Sequence, residues 1–182
     1  MSKVFVFLAD GFEEIEGLTV VDLLRRAEID VTMISVTDTI EVMGAHGIVV
    51  TADKIYEEVH MDEADMLVLP GGMPGTKTLG KHEPLVTKLK EFEKQGKWIA
   101  AICAAPSVLG MNGILQGRKA TCYPGFEDKL QGAEVVKDKV VIDNHVITSR
   151  GLGTAIEFAS EIIAQFKGQE TARKIKEDII YL

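Results

Sequence analysis

Residues 3–9, Lys-Val-Phe-Val-Phe-Leu-Ala, are apolar at every position after the lysine and stop at Asp10-Gly11. A strand with one face in water alternates polar and apolar residues. An unbroken apolar run must be covered on both faces, as parallel strands are. Residues 66–69 and 98–102 repeat the pattern, and 31–36 reads as a further strand. Between these runs apolar residues recur at helical spacing over 15–27, 84–95, 104–111, 153–167 and 170–178. Gly96 and Gly168 stand where two of these helices should close. Residues 41–51 suggest a hairpin or excursion turned by Gly44 and Gly47, and short strands are expected at 135–136, 139–142 and 145–148 around an Asp143-Asn144 turn. Strands alternating with helices predict an α/β fold with a mostly parallel sheet covered on both sides.

With 182 residues and no linker, repeat or low-complexity segment, residues 1–182 are expected to form one domain. The net charge of −8 argues against nucleic acid or an anionic membrane as the main partner. The first apolar run is too short to span a membrane and has no small-residue cleavage site, so a cytoplasmic protein is expected. Its two cysteines, Cys103 and Cys122, match no zinc-ligand spacing, and in a reducing compartment both should be free thiols.

In open parallel sheets ligands bind beyond the carboxyl ends of the strands. Three segments fall at such ends: 10–17, 70–75 and 103–106. Cys103 follows the run Trp-Ile-Ala-Ala-Ile and precedes Ala104-Ala105-Pro106-Ser107, a helix start. A thiol on a strand-to-helix elbow is expected to gain thiolate character from the helix dipole, and α/β enzymes place nucleophiles on such turns. A packed small hydrophobe is the competing reading. Pro70-Gly71-Gly72-Met73-Pro74-Gly75 lets backbone amides approach a ligand. It lacks the Gly-Lys-Ser/Thr ending of a phosphate loop, and it also fits a plain turn into a short helix. If Cys103 attacks a carbonyl, the amides of Gly72 and Ala104 could hold the oxyanion. Glu16, one turn into the first helix beside Ile15 and Leu18, either faces inward with a raised pKa or lies solvated like Glu13 and Glu14. None of His46, His60, His82 and His145 adjoins Cys103, and each is expected on a surface or loop.

The ordered set Asp10-Gly11-Phe12-Glu13-Glu14-Ile15-Glu16, Leu67-Val68-Leu69-Pro70-Gly71-Gly72, Ala100-Ala101-Ile102-Cys103-Ala104-Ala105-Pro106 and Thr148-Ser149-Arg150-Gly151-Leu152-Gly153-Thr154 resembles the ThiJ/PfpI superfamily, in the branch of the parkinsonism-associated protein deglycase. The resemblance spans essentially the whole chain. It implies a flavodoxin-like three-layer sandwich, a homodimer, and no cofactor or metal. It also implies a cysteine on a strained elbow with a glutamate bonded to it, here Cys103 and Glu16, and glycine amides at Gly71 and Gly72 beside Ala104. Two departures matter. Members with a histidine near the cysteine carry it in a Thr-His-Pro-like segment, where Tyr123 stands here as a possible accessory residue. The peptidase-like branch has histidine directly after the cysteine, where this chain has Ala104, so a peptidase triad is not expected.

The resemblance implies cysteine-dependent, cofactor-free chemistry on small aldehydes such as methylglyoxal, or on early glycation adducts, slowed by the missing histidine. The alternative is a redox-sensing or chaperone protein in which Cys103 oxidises to a sulfinate beside Glu16. A flavin-binding relative is disfavoured, because the glycine loop lacks a Ser/Thr-rich phosphate cradle.

Overall fold

The apolar run at the start of the chain becomes an interior strand of a seven-stranded sheet, flanked on both sides by parallel neighbours. This is seen in a computed structural model describing residues 2–182. In chain order the elements are β1 (Lys3–Leu8), α1 (Glu14–Arg26), β2 (Asp30–Ser35), β3 (Glu41–Met43), β4 (Val49–Thr51), β5 (Lys54–Ile55), β6 (Met66–Leu69), α2 (Gly75–Lys81), α3 (Glu83–Gln95), β7 (Trp98–Ile102), α4 (Pro106–Met111), β8 (Lys119–Ala120), β9 (Glu134–Val135), β10 (Val140–Asp143), β11 (Val146–Ser149) and α5 (Ala155–Asp178). The sheet order is β10-β11-β7-β6-β1-β2-β5. All neighbours are parallel except β10 and β11, which form an antiparallel hairpin at one edge.

Side chains of β1 alternate between two cores, as the pleat requires. Val4, Val6 and Leu8 meet Val20 and Leu24 of α1 and Phe158 and Ile162 of α5. Phe5 and Phe7 meet Leu79 of α2, Leu85, Leu89 and Phe92 of α3, and Val108 and Leu109 of α4. Two helices therefore cover one face and three the other, and the fold is the α/β, flavodoxin-like three-layer sandwich that the sequence implied.

Several local details depart from the sequence reading. Helix α2 was foreseen only as a short helix after a turn. Strands β5 and β8 carry too few residues to show a period, and the strand expected at 135–136 forms one residue earlier, as β9 paired with β8. Helix α4 starts at Pro106 rather than at 104, because the elbow residues are still turning. Helix α5 is broken at Gly168, whose φ of 84° interrupts it where a closing glycine was expected. Ile15 does not point inward: it shares its helix face with Thr19 and Asp22 and is 52% exposed. Glu16, in phase with Val20 and Leu23, is buried.

The crossover leaving β1 runs to β2 on one side, and the one leaving its neighbour β6 runs to β7 on the other. That makes the carboxyl ends of β1 and β6 a topological switch point, where the two flanking turns part and leave a crevice. The turns after β1, β6 and β7 meet there.

Candidate active site

Cys103 is the first residue beyond β7 and has φ of 66°, a left-handed conformation that costs a side-chain-bearing residue roughly 1–2 kcal/mol. Hydrogen bonds hold it there. Its N–H donates to the Ser149 carbonyl at 2.9 Å, and its carbonyl accepts the Tyr123 N–H at 2.8 Å. The strain turns the thiol, half-buried, toward the switch-point crevice instead of into either core.

Glu16 reaches the same place from α1 and is 1% exposed. The Gly71 N–H donates to its Oε2 at 2.9 Å. Gly71 was expected among the amides facing an oxyanion. Instead its amide is spent on Glu16, because a buried carboxyl needs donors. A Cβ at residue 71 would stand 2.5 Å from both Glu16 Oε2 and Cys103 Cβ, so only glycine lets acid and thiol meet. The amides of Gly72 and Ala104 are the ones that favour a charged Cys103 sulfur.

Burial pushes the Glu16 carboxyl up to about 7, and the charge of Glu13 adds to the rise. The hydrogen bond with Cys103 and the Gly71 and Leu152 amides oppose it. Cys103 moves up as well, to about 12, by burial first and then by the neighbouring Glu16 charge. This corrects the expectation of a thiol acidified by its helix. Helix α4 has six residues and begins three positions further on, so its dipole is weak at the sulfur, while burial and the carboxylate both disfavour a second anion. The two groups titrate as one unit. The first proton leaves near 7 and the last near 12, so around neutrality and above one proton is held between carboxyl and sulfur. With that proton on Glu16 the sulfur is a nucleophile, and with it on sulfur the carboxylate is a base.

Tyr123 sits beside this pair and is 50% exposed. Gly151 separates the two: a Cβ on it would lie 3.2 Å from the Tyr123 ring and 3.7 Å from Glu16 Oε1. Cys122 faces away, 3% exposed in the core under α2–α4, where burial lifts its thiol to about 11.

A contact without local sequence signal ties the β3–β4 hairpin to the turn before α1. Glu14, expected in solvent, is 3% exposed. Its Oε1 accepts the His46 N–H at 2.7 Å and its Oε2 lies 2.9 Å from His46 Nδ1. The Gly11 N–H donates to Met43, the Met43 N–H to Asp10, and the Ala45 N–H to Phe12. The β3–β4 hairpin is thereby latched onto the turn that carries Glu16. Burial raises the Glu14 carboxyl, but His46 and backbone amides outweigh it and hold it below the usual range. The same hydrogen bond raises His46. Glu13, Glu14 and His46 bring ligand-type atoms within 4.8 Å of one another, with both Glu14 oxygens already engaged by His46. The other histidines lie away from the thiol, His82 capping α3 through its ring and His145 bonded to Glu93.

Comparison with known proteins places these features. The model of the DJ-1/PfpI family matches residues 2–165. DJ-1 homolog B of Arabidopsis thaliana is 39% identical over 180 residues, which cover 98% of this chain and 41% of that protein, so the chain spans about two-fifths of this relative's length. A deglycase of Pyrococcus abyssi is 33% identical over 167 residues, covering 91% of this chain and 99% of that protein. The structure of oxidized DJ-1 from Toxoplasma gondii superposes with a TM-score of 0.94 at 40% identity, covering 99% of this chain and 98% of that one. With the family model over residues 2–165, a matching fold and this extent of similarity, the chain belongs to the DJ-1/PfpI family.

Proposed function

We propose that the protein converts α-oxoaldehydes such as methylglyoxal to 2-hydroxy acids, or removes their early adducts from amines, by cofactor-free cysteine chemistry. The observation that carries this reading is the buried Glu16 beside Cys103 with a pKa raised to about 7, which suits proton transfer in both directions. The Pyrococcus relative named a deglycase supports the substrate class.

In the mechanism, the Cys103 sulfur adds to the aldehyde carbon while Glu16 gives its proton to the carbonyl oxygen, forming a hemithioacetal. Charge leaves the sulfur for the oxygen at this step, so the Gly72 and Ala104 amides that favoured the thiolate can serve the developing alkoxide. The Glu16 carboxylate then takes the proton from the former aldehyde carbon and returns it to the adjacent carbon, while the hydroxyl proton passes to the oxygen on that adjacent carbon. The result is a thioester of the 2-hydroxy acid. Water cleaves it, releasing the acid and the free thiol, so aldehyde plus water gives hydroxy acid with no external oxidant.

Incubating the purified protein with methylglyoxal and following lactate by NMR tests the reading. Wild type should turn over and Cys103→Ala should not. Equal rates would refute it.

A second reading is redox sensing, with Cys103 oxidised to a sulfinate beside protonated Glu16. The half-buried placement of the thiol and the likeness to an oxidized DJ-1 structure favour it. We also propose a homodimer, as the family resemblance implies. Exposed Ile15, Ile48 and Val49, on α1 and the latched hairpin, offer an apolar surface for it.

A further inference from the structure

A second cavity, of about 450 Å3, lies between α2, α4 and the loop after Tyr123, on the side of the elbow away from Glu16. Val108, Met111 and Phe126 give it an apolar lining, and Lys77, Lys81 and Lys129 stand around it with no carboxylate in the wall. That is unusual in a chain with eight more acidic than basic residues. None of the three lysines forms an ion pair among the described residues. Lys77 and Lys81 are four apart on one short helix without an acidic residue, so they repel each other. Lys129 Nζ is held above the Phe126 ring, 4.7 Å from its centroid, and leans over the apolar floor. The buried hydroxyl of Thr76, in the same wall, is also without a partner.

We propose that this cavity binds a small amphipathic anion, an aliphatic chain in the Val108–Met111–Phe126 lining with its carboxylate or phosphate head among the three lysines. The volume fits a small ligand, and the combination of apolar wall and few convergent charges is that of a ligand pocket. An anionic head relieves the lysine repulsion, and the tail removes apolar surface from water. The site is separate from Cys103 chemistry but shares its scaffold: Met73 follows Gly72, and the Ser107 hydroxyl in the wall donates to the Ala104 carbonyl at 2.6 Å.

The test is a 1H–15N NMR titration of the full chain with octanoate, octyl phosphate and neutral octanol. The two anions should saturably shift amides of residues 76–81, 107–111 and 126–129, and the tighter of them identifies the head group. Octanol should bind at least tenfold more weakly. The double variant Lys77→Gln/Lys81→Gln should lose at least tenfold in affinity, whereas Cys103→Ala should bind as wild type does. Shifts scattered over the surface, equal binding of octanol, an unaffected lysine variant, or loss of binding in Cys103→Ala would each overturn the proposal.

Discussion

Glu16 Oε2 and Cys103 Cβ both lie 2.5 Å from the point where a Cβ on residue 71 would stand. Acid and thiol thus meet over a glycine from the turn of a third strand. The carbonyl oxygen of Ile102 is 3.0 Å from the same point and cannot move without disturbing β7. Gly71→Ala should cost about 1–3 kcal/mol, as overpacking of a closed interior does. Urea denaturation measures it, and an unchanged midpoint would contradict the packing described.

Stability should depend on pH through Glu16. Its folded value near 7 exceeds the ordinary 4.5, so between these values the folded state keeps a proton that the unfolded state has lost. Stability attributable to Glu16 therefore falls as pH rises across that window and levels off above it, by on the order of 3 kcal/mol. Glu16→Gln cannot ionise, so its stability relative to wild type should rise between pH 5 and pH 8. Urea unfolding at the two pH values shows this, and parallel behaviour of the two proteins would mean the carboxyl is not held protonated.

Cys103 should be the thiol that oxidises. Burial raises both thiols, Cys103 to about 12 and Cys122 to about 11, so acidity alone does not select it. Access does: Cys122 is 3% exposed in a core, whereas Cys103 is half-buried at a crevice with a proton-accepting carboxyl beside it. After mild peroxide, mass spectrometry should find sulfinate mainly at residue 103. Preferential modification of Cys122 would count against the site.

Tyr123 should matter little to turnover and Glu16 a great deal. A phenol is a poor base at neutral pH, whereas a carboxyl near 7 can both give and take protons. With methylglyoxal, Tyr123→Phe should lose less than about threefold, while Glu16→Gln should lose at least ~100-fold. A Tyr123→Phe variant as inactive as Cys103→Ala would make Tyr123 a principal catalytic residue.

Light scattering should give twice the 19.9 kDa chain mass. Ile48→Glu, placing charge in the exposed apolar surface of the hairpin, should shift the protein toward monomer. A wild-type monomer at micromolar concentration would refute the dimer.

The layered α/β architecture was legible in the sequence because it rests on local signals. Unbroken apolar runs such as Met66–Leu69 mark doubly covered strands, and glycines 96 and 168 punctuate helices whose apolar period is 3.6. The same signals put residues 10–17, 70–75 and 103–106 at strand ends, and a parallel sheet gathers its strand ends on one edge. What they could not supply is which atoms meet across that edge. The bond from Gly71 to Glu16 joins residues 55 apart, and the latch from His46 to Glu14 joins residues 32 apart. Neither has a local period to betray it. The thiol's upward shift, the burial of Glu14 and the lysine-rimmed cavity likewise arise from neighbours brought together by the sheet order. Burial, charge proximity and hydrogen-bond partnership are properties of three-dimensional distance, and only the tertiary structure sets those distances.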